Sequence, residues 1–294
     1  MDPRPWMPDP AFERRSTRVT VTAVRGTDVR VRDDRLAGEE PMAIRVAGPG
    51  QAPIDVAVTM RTPGHEEELA IGFLFAEGLI SDIGQVAGVE LGNPGAIAQP
   101  DDEVLVRLVD PFDASRLAAR HFAVSSSCGI CGKAALDDVH IRARPIPDGP
   151  VVTPEVLWSL PERLRAAQAV FEATGGLHAA GLFEPDGTLV AAREDIGRHN
   201  ALDKLVGGAV LAREAPLHGR ILLMSGRAGF ELVQKAAGAG APILAAVSAP
   251  SDLAVEAAER LGITLIGFLR GEGFNLYTRP DRVATGRVSG AARA

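Results

Sequence analysis

Aromatic residues are scarce in this 294-residue chain: two Trp, one Tyr and ten Phe make up 4% of it. A core with so few large rings has to be filled by Ala, Val, Leu and Ile, and at 46% hydrophobic the chain has enough of them. Cysteine is scarcer still. Two cysteines cannot make a disulfide scaffold, yet both fall within four positions, Cys128-Gly-Ile-Cys131. Positive charge is in deficit, with 31 Lys and Arg against 38 Asp and Glu for a net charge of −7. That balance argues against a nucleic-acid-binding face, which needs basic side chains to displace counterions. Long hydrophobic runs are missing as well; the best, 241–247, falls far short of the ~18 apolar residues of a membrane span. The opening MDPRPWMPDPAFERR puts prolines and charges where a signal peptide carries its apolar region. Residues 1–15 therefore read as a disordered leader on a cytosolic protein, one that engages neither membrane nor nucleic acid.

The length exceeds the roughly 100–200 residues of a typical single core, so two domains are expected. Residues 16–115 read as a small mixed α+β domain. Strands are predicted at 18–23, 42–46, 54–60 and 104–109, and a helix at 64–80, where Leu69, Phe73, Ala76 and Leu79 recur at helical spacing behind Glu66–Glu68. Residues 116–294 read as an α/β domain. A helix over 154–174 stops at Gly175-Gly176. Strands 177–183 and 188–192 flank the turn Glu184-Pro185-Asp186-Gly187. A polar cluster at 193–200 leads into a helix over 201–212. Strands at 220–224, 242–247 and 263–268 then alternate with helices at 229–239 and 251–261. This tight alternation implies βαβ crossovers and a partly parallel sheet with flanking helices.

Parallel strands deliver the segments that follow them to one sheet edge. Here these are Ser225-Gly226-Arg227, Ser248-Ala249-Pro250-Ser251 and Leu269-Arg270-Gly271-Glu272-Gly273. Small residues let backbone N–H groups approach a ligand, and arginine adds planar, charge-assisted hydrogen bonds to phosphate or carboxylate. Glycines that merely end strands and solvated arginines would explain any one loop; three on one edge favour an anionic, nucleotide-like ligand. Neither GxxxxGK[ST] nor a helix-opening GxGxxG is present, which disfavours an ordinary ATP or NAD site. In the 193–200 cluster, Asp195 or Asn200 is a candidate helix cap and His199 a candidate proton donor or ligand contact. His178, inside an apolar strand, reads as a buried, hydrogen-bonded residue.

The cysteine pair supports four readings. A structural zinc site needs four ligands, and there is no second CxxC and no HxxxH. A zinc deaminase carries proline directly before its CxxC, where this chain has Ser127. No metal site is expected. A dithiol redox centre remains open, because CxxC lowers a thiol pKa, although its usual setting is the start of a helix. Sulfur transfer also remains open. A thiolate on a Ser/Gly-rich loop can accept a donor's persulfide sulfur, and Lys133 favours the thiolate.

Five stretches together, SSSCGICGK (125–133), GLHAAGLF (176–183), REDIGRHNALDKLVG (193–207), SGRAGFELVQKAA (225–237) and GFLRGEGFNLYT (267–278), resemble the formate dehydrogenase accessory sulfurtransferase family, also described as formate dehydrogenase sulfur carrier proteins. MRTPGHEEELAIGFLFAEGLI (60–80) matches more loosely. The resemblance implies a cytidine-deaminase-like main domain and a homodimer. It implies a sulfurtransferase that takes sulfane sulfur from a cysteine desulfurase and passes it to the bis-molybdopterin guanine dinucleotide molybdenum cofactor of formate dehydrogenase. Cys128 would carry the persulfide with Cys131 assisting, and Phe268, Leu269, Arg270, Gly271, Glu272 and Gly273 would bind the cofactor, along with Ser225, Gly226 and Arg227. Arg198, His199 and Asn200 form a second line near it. Two rivals stand beside this expectation: a chaperone that holds the cofactor without sulfur chemistry, and a dithiol redox protein.

Overall fold

The computed structural model describes residues 14–92, 102–118, 145–146 and 148–285. Its centre is a six-stranded sheet in the order β12-β11-β10-β9-β7-β8. The strands are β7 (His178–Phe183), β8 (Leu189–Asp195), β9 (Ile221–Met224), β10 (Ile243–Ala246), β11 (Thr264–Arg270) and β12 (Gly273–Leu276). β9, β10 and β11 run parallel, whereas β7, β8 and β12 pair antiparallel with their neighbours. The expected crossovers are present, through α5 (Phe230–Gly238) and α6 (Asp252–Leu261).

β9 and β10 are buried along their whole length, ILLM and ILAA, which is why they read as short continuous apolar runs. Their side chains sort by strand period. Leu222, Met224, Leu244 and Ala246 face one cluster, shared with α4 (Arg198–Leu211), α5 and α6. Ile221, Leu223, Ile243 and Ala245 face the other, packed on Leu157, Leu160 and Leu164 of α2 (Pro154–Ala166).

A second sheet has the order β4-β3-β6-β5, from β3 (Glu40–Ala47), β4 (Ile54–Arg61), β5 (Val86–Leu91) and β6 (Glu103–Leu108). Met42, Ile44, Val104 and Val106 pack on α1 (Glu66–Ala76), and the same cluster runs on into α4 and the six-stranded sheet. A separate ribbon pairs β1 (Ser16–Arg25) with β2 (Asp28–Ala37). Each sheet thus lies on one side of residue 115, while one hydrophobic core crosses that point.

Three local expectations need correction. Residues 154–174 form two helices, α2 and α3 (Ala169–Thr174), with a break at 167–168. The break lets Glu194 of β8 accept hydrogen bonds from Val170 N (3.0 Å) and Phe171 N (2.7 Å), so a distant carboxylate caps α3. The helix expected from 201 begins at Arg198 with Gly197 as N-cap, and neither Asp195 nor Asn200 fills that position. Strand β11 continues past Phe268 to Arg270, then turns into the unforeseen β12, so residues 269–273 form a hairpin end. Ser251, by contrast, caps α6 as its position suggests, accepting from Ala254 N at 3.2 Å.

Candidate functional site

The loops after β9, β10 and β11 are laced to one another by backbone hydrogen bonds. Val247 N donates to Met224 O (3.0 Å), Ala228 N to Ala249 O (3.2 Å), Ser251 N to Ala228 O (3.1 Å), and Phe268 N to Ser248 O (3.1 Å). The three predicted loops therefore form one continuous edge. Ser225 is fixed to β7: its N donates to Ala179 O (2.9 Å) and its Oγ accepts from Ala179 N (2.8 Å). The hydroxyl keeps its donor capacity but is not a free arm. Arg227 is exposed.

Phe268 has φ +55°, a left-handed conformation that costs a non-glycine residue about 1–2 kcal/mol. It sits in an irregularity of the β11–β12 pairing between Gly267 and Arg270. Gly267 permits this, since a Cβ there would lie 2.8 Å from Pro250 Cδ and 2.9 Å from Tyr277 Cε2. The kink leaves the Phe268 ring half-buried with the Arg270 guanidinium 5.7 Å from its centroid, while Leu269 is fully buried in the core. Arg270, Gly271, Glu272 and Gly273 are exposed, and Gly271 (φ +53°) makes the turn.

β7 runs antiparallel to β9, so its first residue, His178, arrives at the edge where β9 ends. Its register partner is Asp195, the last residue of β8. A Cβ on Gly226 would lie 3.2 Å from His178 Nδ1, so the imidazole abuts the bare glycine. His178 is half-buried; burial first, then the charges of Arg198, His199 and Arg227, lower its pKa, and Asp195 only partly opposes them. Within an apolar strand this histidine reads as structural. The signal that locates it is topological: it opens the strand that pairs with β9.

The start of α4 supplies Arg198 and His199. His199 Nε2 is 2.9 Å from Glu231 Oε2 at the start of α5, tying the two helix N-termini together. Arg198 Nε is buried with no hydrogen-bond partner among the described residues. Asn200 is committed elsewhere, donating to Met60 O (2.8 Å) and Asp195 Oδ1 (3.2 Å). Asp195 is a buried hub that accepts from Thr62 N (3.1 Å) and Gly197 N (2.8 Å) and pairs with Lys204 Nζ at 2.7 Å. This network fixes where α4 begins, and hence where Arg198 and His199 point. His65, which precedes Glu66 and Glu67, lies at the start of α1 with its Nδ1 3.1 Å from Glu68.

The edge thus brings together Gly226, Arg227, Arg198, His199 and the unforeseen His178, with Phe268 and Arg270 on the β11 side. Cys128 and Cys131, with the rest of 119–144, lie outside the described residues. No helix among the described residues is long and apolar enough to cross a membrane.

Among curated proteins, the chain is 49% identical to a sulfur carrier protein FdhD of Streptomyces coelicolor over 280 residues, covering 92% of this chain and 96% of the relative. It is 48% identical to the sulfur carrier protein FdhD of Mycobacterium tuberculosis, covering 86% and 92%. The fold matches the crystal structure of a proposed formate dehydrogenase accessory protein from Desulfotalea psychrophila, with TM-score 0.71 and 24% identity over 92% of this chain and 99% of that one. Residues 37–284 match the FdhD/NarQ family, and with relatives this close the chain belongs to that family.

Proposed function

We propose that this protein carries sulfane sulfur on Cys128, received from a cysteine desulfurase, and delivers it to the bis-molybdopterin guanine dinucleotide cofactor destined for formate dehydrogenase, held as cargo at the strand-end edge. The observation that carries the cargo half is the gathering of Arg198, Arg227 and the half-buried His178 beside the bare backbone of Gly226. Guanidinium groups suit the pyrophosphate of a dinucleotide. The Phe268 ring with Arg270 beside it suits a stacked base. The sulfur half is supported by the curated relatives' designation as sulfur carriers and by the paired cysteines.

In the loading step the Cys128 thiolate attacks the terminal sulfur of the donor's persulfide. A new S–S bond forms on Cys128, the donor's S–S bond breaks, and the donor cysteine leaves as its thiolate, so no external oxidant or reductant is consumed. Cys131, three residues on, assists Cys128. The protein acts as a homodimer.

The test is intact mass after incubation with a cysteine desulfurase and cysteine. The expected result is a reductant-sensitive gain of one sulfur atom in the wild type, retained in Cys131→Ser and absent in Cys128→Ser. A Cys128→Ser protein that still gains sulfur overturns the assignment. No gain in any variant, with dinucleotide binding intact, favours a cofactor chaperone, and loss of two hydrogens on oxidation favours a dithiol.

A further inference from the structure

Charged and titratable groups from three elements surround His178: Arg198 and His199 from α4, Arg227 from the loop after β9, and Asp195 from β8. The balance is cationic. Asp195, the lone carboxylate among them, is already paired with Lys204, and His199 is shared with Glu231 of α5. The His178 ring makes no hydrogen bond among the described residues and faces Gly226, where a Cβ would intrude to 3.2 Å. A half-buried imidazole with an unclaimed ring nitrogen, set among cations and packed against Gly226, is arranged for a ligand of opposite charge.

We propose that His178 is a proton-linked ligand contact: it takes up a proton when an anion binds beside Arg198 and Arg227, so affinity at this edge rises as pH falls below neutrality. This deepens the reading of the edge as a dinucleotide site and rests on it. In the free protein, burial and the neighbouring cations disfavour the imidazolium and lower the pKa of the ring. A bound pyrophosphate offsets that repulsion and accepts a hydrogen bond from the charged ring. Where the bound state holds more protons than the free state, lower pH strengthens binding, by at most about tenfold per pH unit for one proton. Arg198 and Arg227 stay charged throughout, so affinity at high pH persists but is weaker.

The probe is di(guanosine-5′) diphosphate, whose pyrophosphate diester has no proton that titrates between about pH 5 and 8, so any linkage belongs to the protein. Calorimetric titration of the full chain, in buffers of different ionisation enthalpy, counts the protons. The wild type is expected to take up a fraction approaching one proton below pH 7 and to gain affinity several-fold per pH unit. His178→Gln is expected to take up none and to show a flat profile, whereas His218→Gln, altering an exposed histidine elsewhere, keeps the uptake. Equal uptake in His178→Gln, or tight binding by the wild type without uptake, overturns the proposal and leaves the site reading standing. A wild type that does not bind the probe overturns both. Should His178→Gln fail to fold, ¹⁵N-detected titration of the His178 ring in the wild type decides the matter. The probe must raise its pKa, and an unmoved value overturns the proposal.

Discussion

Gly72 of α1 and Gly207 of α4 are in backbone contact. A Cβ built on Gly72 would lie 1.8 Å from the Asp203 carbonyl oxygen, and one on Gly207 would lie 1.8 Å from the Glu68 carbonyl oxygen. No side chain can separate the two helices at this crossing. α1 carries the core of the four-stranded sheet, and α4 begins with Arg198 and His199, so the crossing sets the distance between the first sheet and the site. Charged pairs anchor each helix to a further element: Glu68 holds Arg193 of β8 at 2.5 Å, and Asp203 holds Lys235 of α5 at 2.8 Å.

Gly207→Ala therefore does more than add a methyl group. In a helix interior alanine is normally favoured over glycine by about 1 kcal/mol, but here the overlap is with backbone and the helices must move apart. Overpacking of this kind costs about 1–3 kcal/mol or more. Urea unfolding should show a clear loss of stability for Gly207→Ala, and also for Gly72→Ala. Unchanged or increased stability in either would show that the helices are not in backbone contact at this crossing.

Glu68 gives the anchoring of α1 to β8 a pH dependence. Burial alone would raise its pKa, but hydrogen bonds from Arg193 and His65, with their charges, offset this and hold it at about 2. A carboxylate whose pKa is depressed on folding stabilises the protein above its unfolded value, near 4.5, and loses that contribution as pH falls towards 2. Glu68→Gln should cost about 1–3 kcal/mol at neutral pH. The gap between variant and wild type in unfolding midpoint should narrow steadily below pH 4.5, and a gap independent of pH would remove the ion pair from the account.

Arg282 plays a structural part at the opposite end of the strands. Its buried guanidinium donates to Pro242 O (3.1 Å), Gly262 O (2.6 Å), Thr264 Oγ1 (3.4 Å) and Ile146 O (3.0 Å). Removing it strips this donor from the Gly262 and Ile146 carbonyls, each costing about 1–3 kcal/mol, while Pro242 O keeps its bond from Thr264 N. Arg282→Met should lower the melting temperature sharply, and Arg282→Lys, which lacks the planar fork, should rescue little of it. Full rescue by lysine would show that the site needs only a charge.

How much of this was legible in the sequence depends on where each signal lies. β9, α5, β10, α6 and β11 are readable because short apolar runs such as ILLM and ILAA, buried on both faces, alternate with helical periodicity. β2 is not. It pairs with β1 in a ribbon exposed on both sides, so DVRVRDDRLA has no core-facing stripe to reveal it. The new helix start after the α2–α3 break is capped by Glu194, more than twenty residues away, and local propensity cannot foresee that contact. The site was half legible. Gly226, Arg227 and Arg270 follow from strand-end position alone, while His178 reaches them through the β7–β9 pairing. Asn200, read as a candidate helix cap, is not the cap of α4; its side chain ties β4 to α4.

Phe268 allows stability and binding to be separated. Phe268→Ala and Phe268→Gly both delete the ring, but only glycine adopts φ +55° without steric penalty. The glycine variant should therefore be the more stable of the two, by about 1 kcal/mol in urea unfolding. If the ring stacks on a nucleobase, both variants should lose about 1–3 kcal/mol of affinity for di(guanosine-5′) diphosphate, and by similar amounts, since both lack the same platform. Equal stability of the two would mean that the backbone relaxes out of its strained conformation once the ring is gone. Unweakened binding in both would move the base away from Phe268 and leave Arg270 as the contact on that side. The left-handed backbone is kept at phenylalanine, where glycine would be less strained, and loss of affinity in both variants is what would explain that choice.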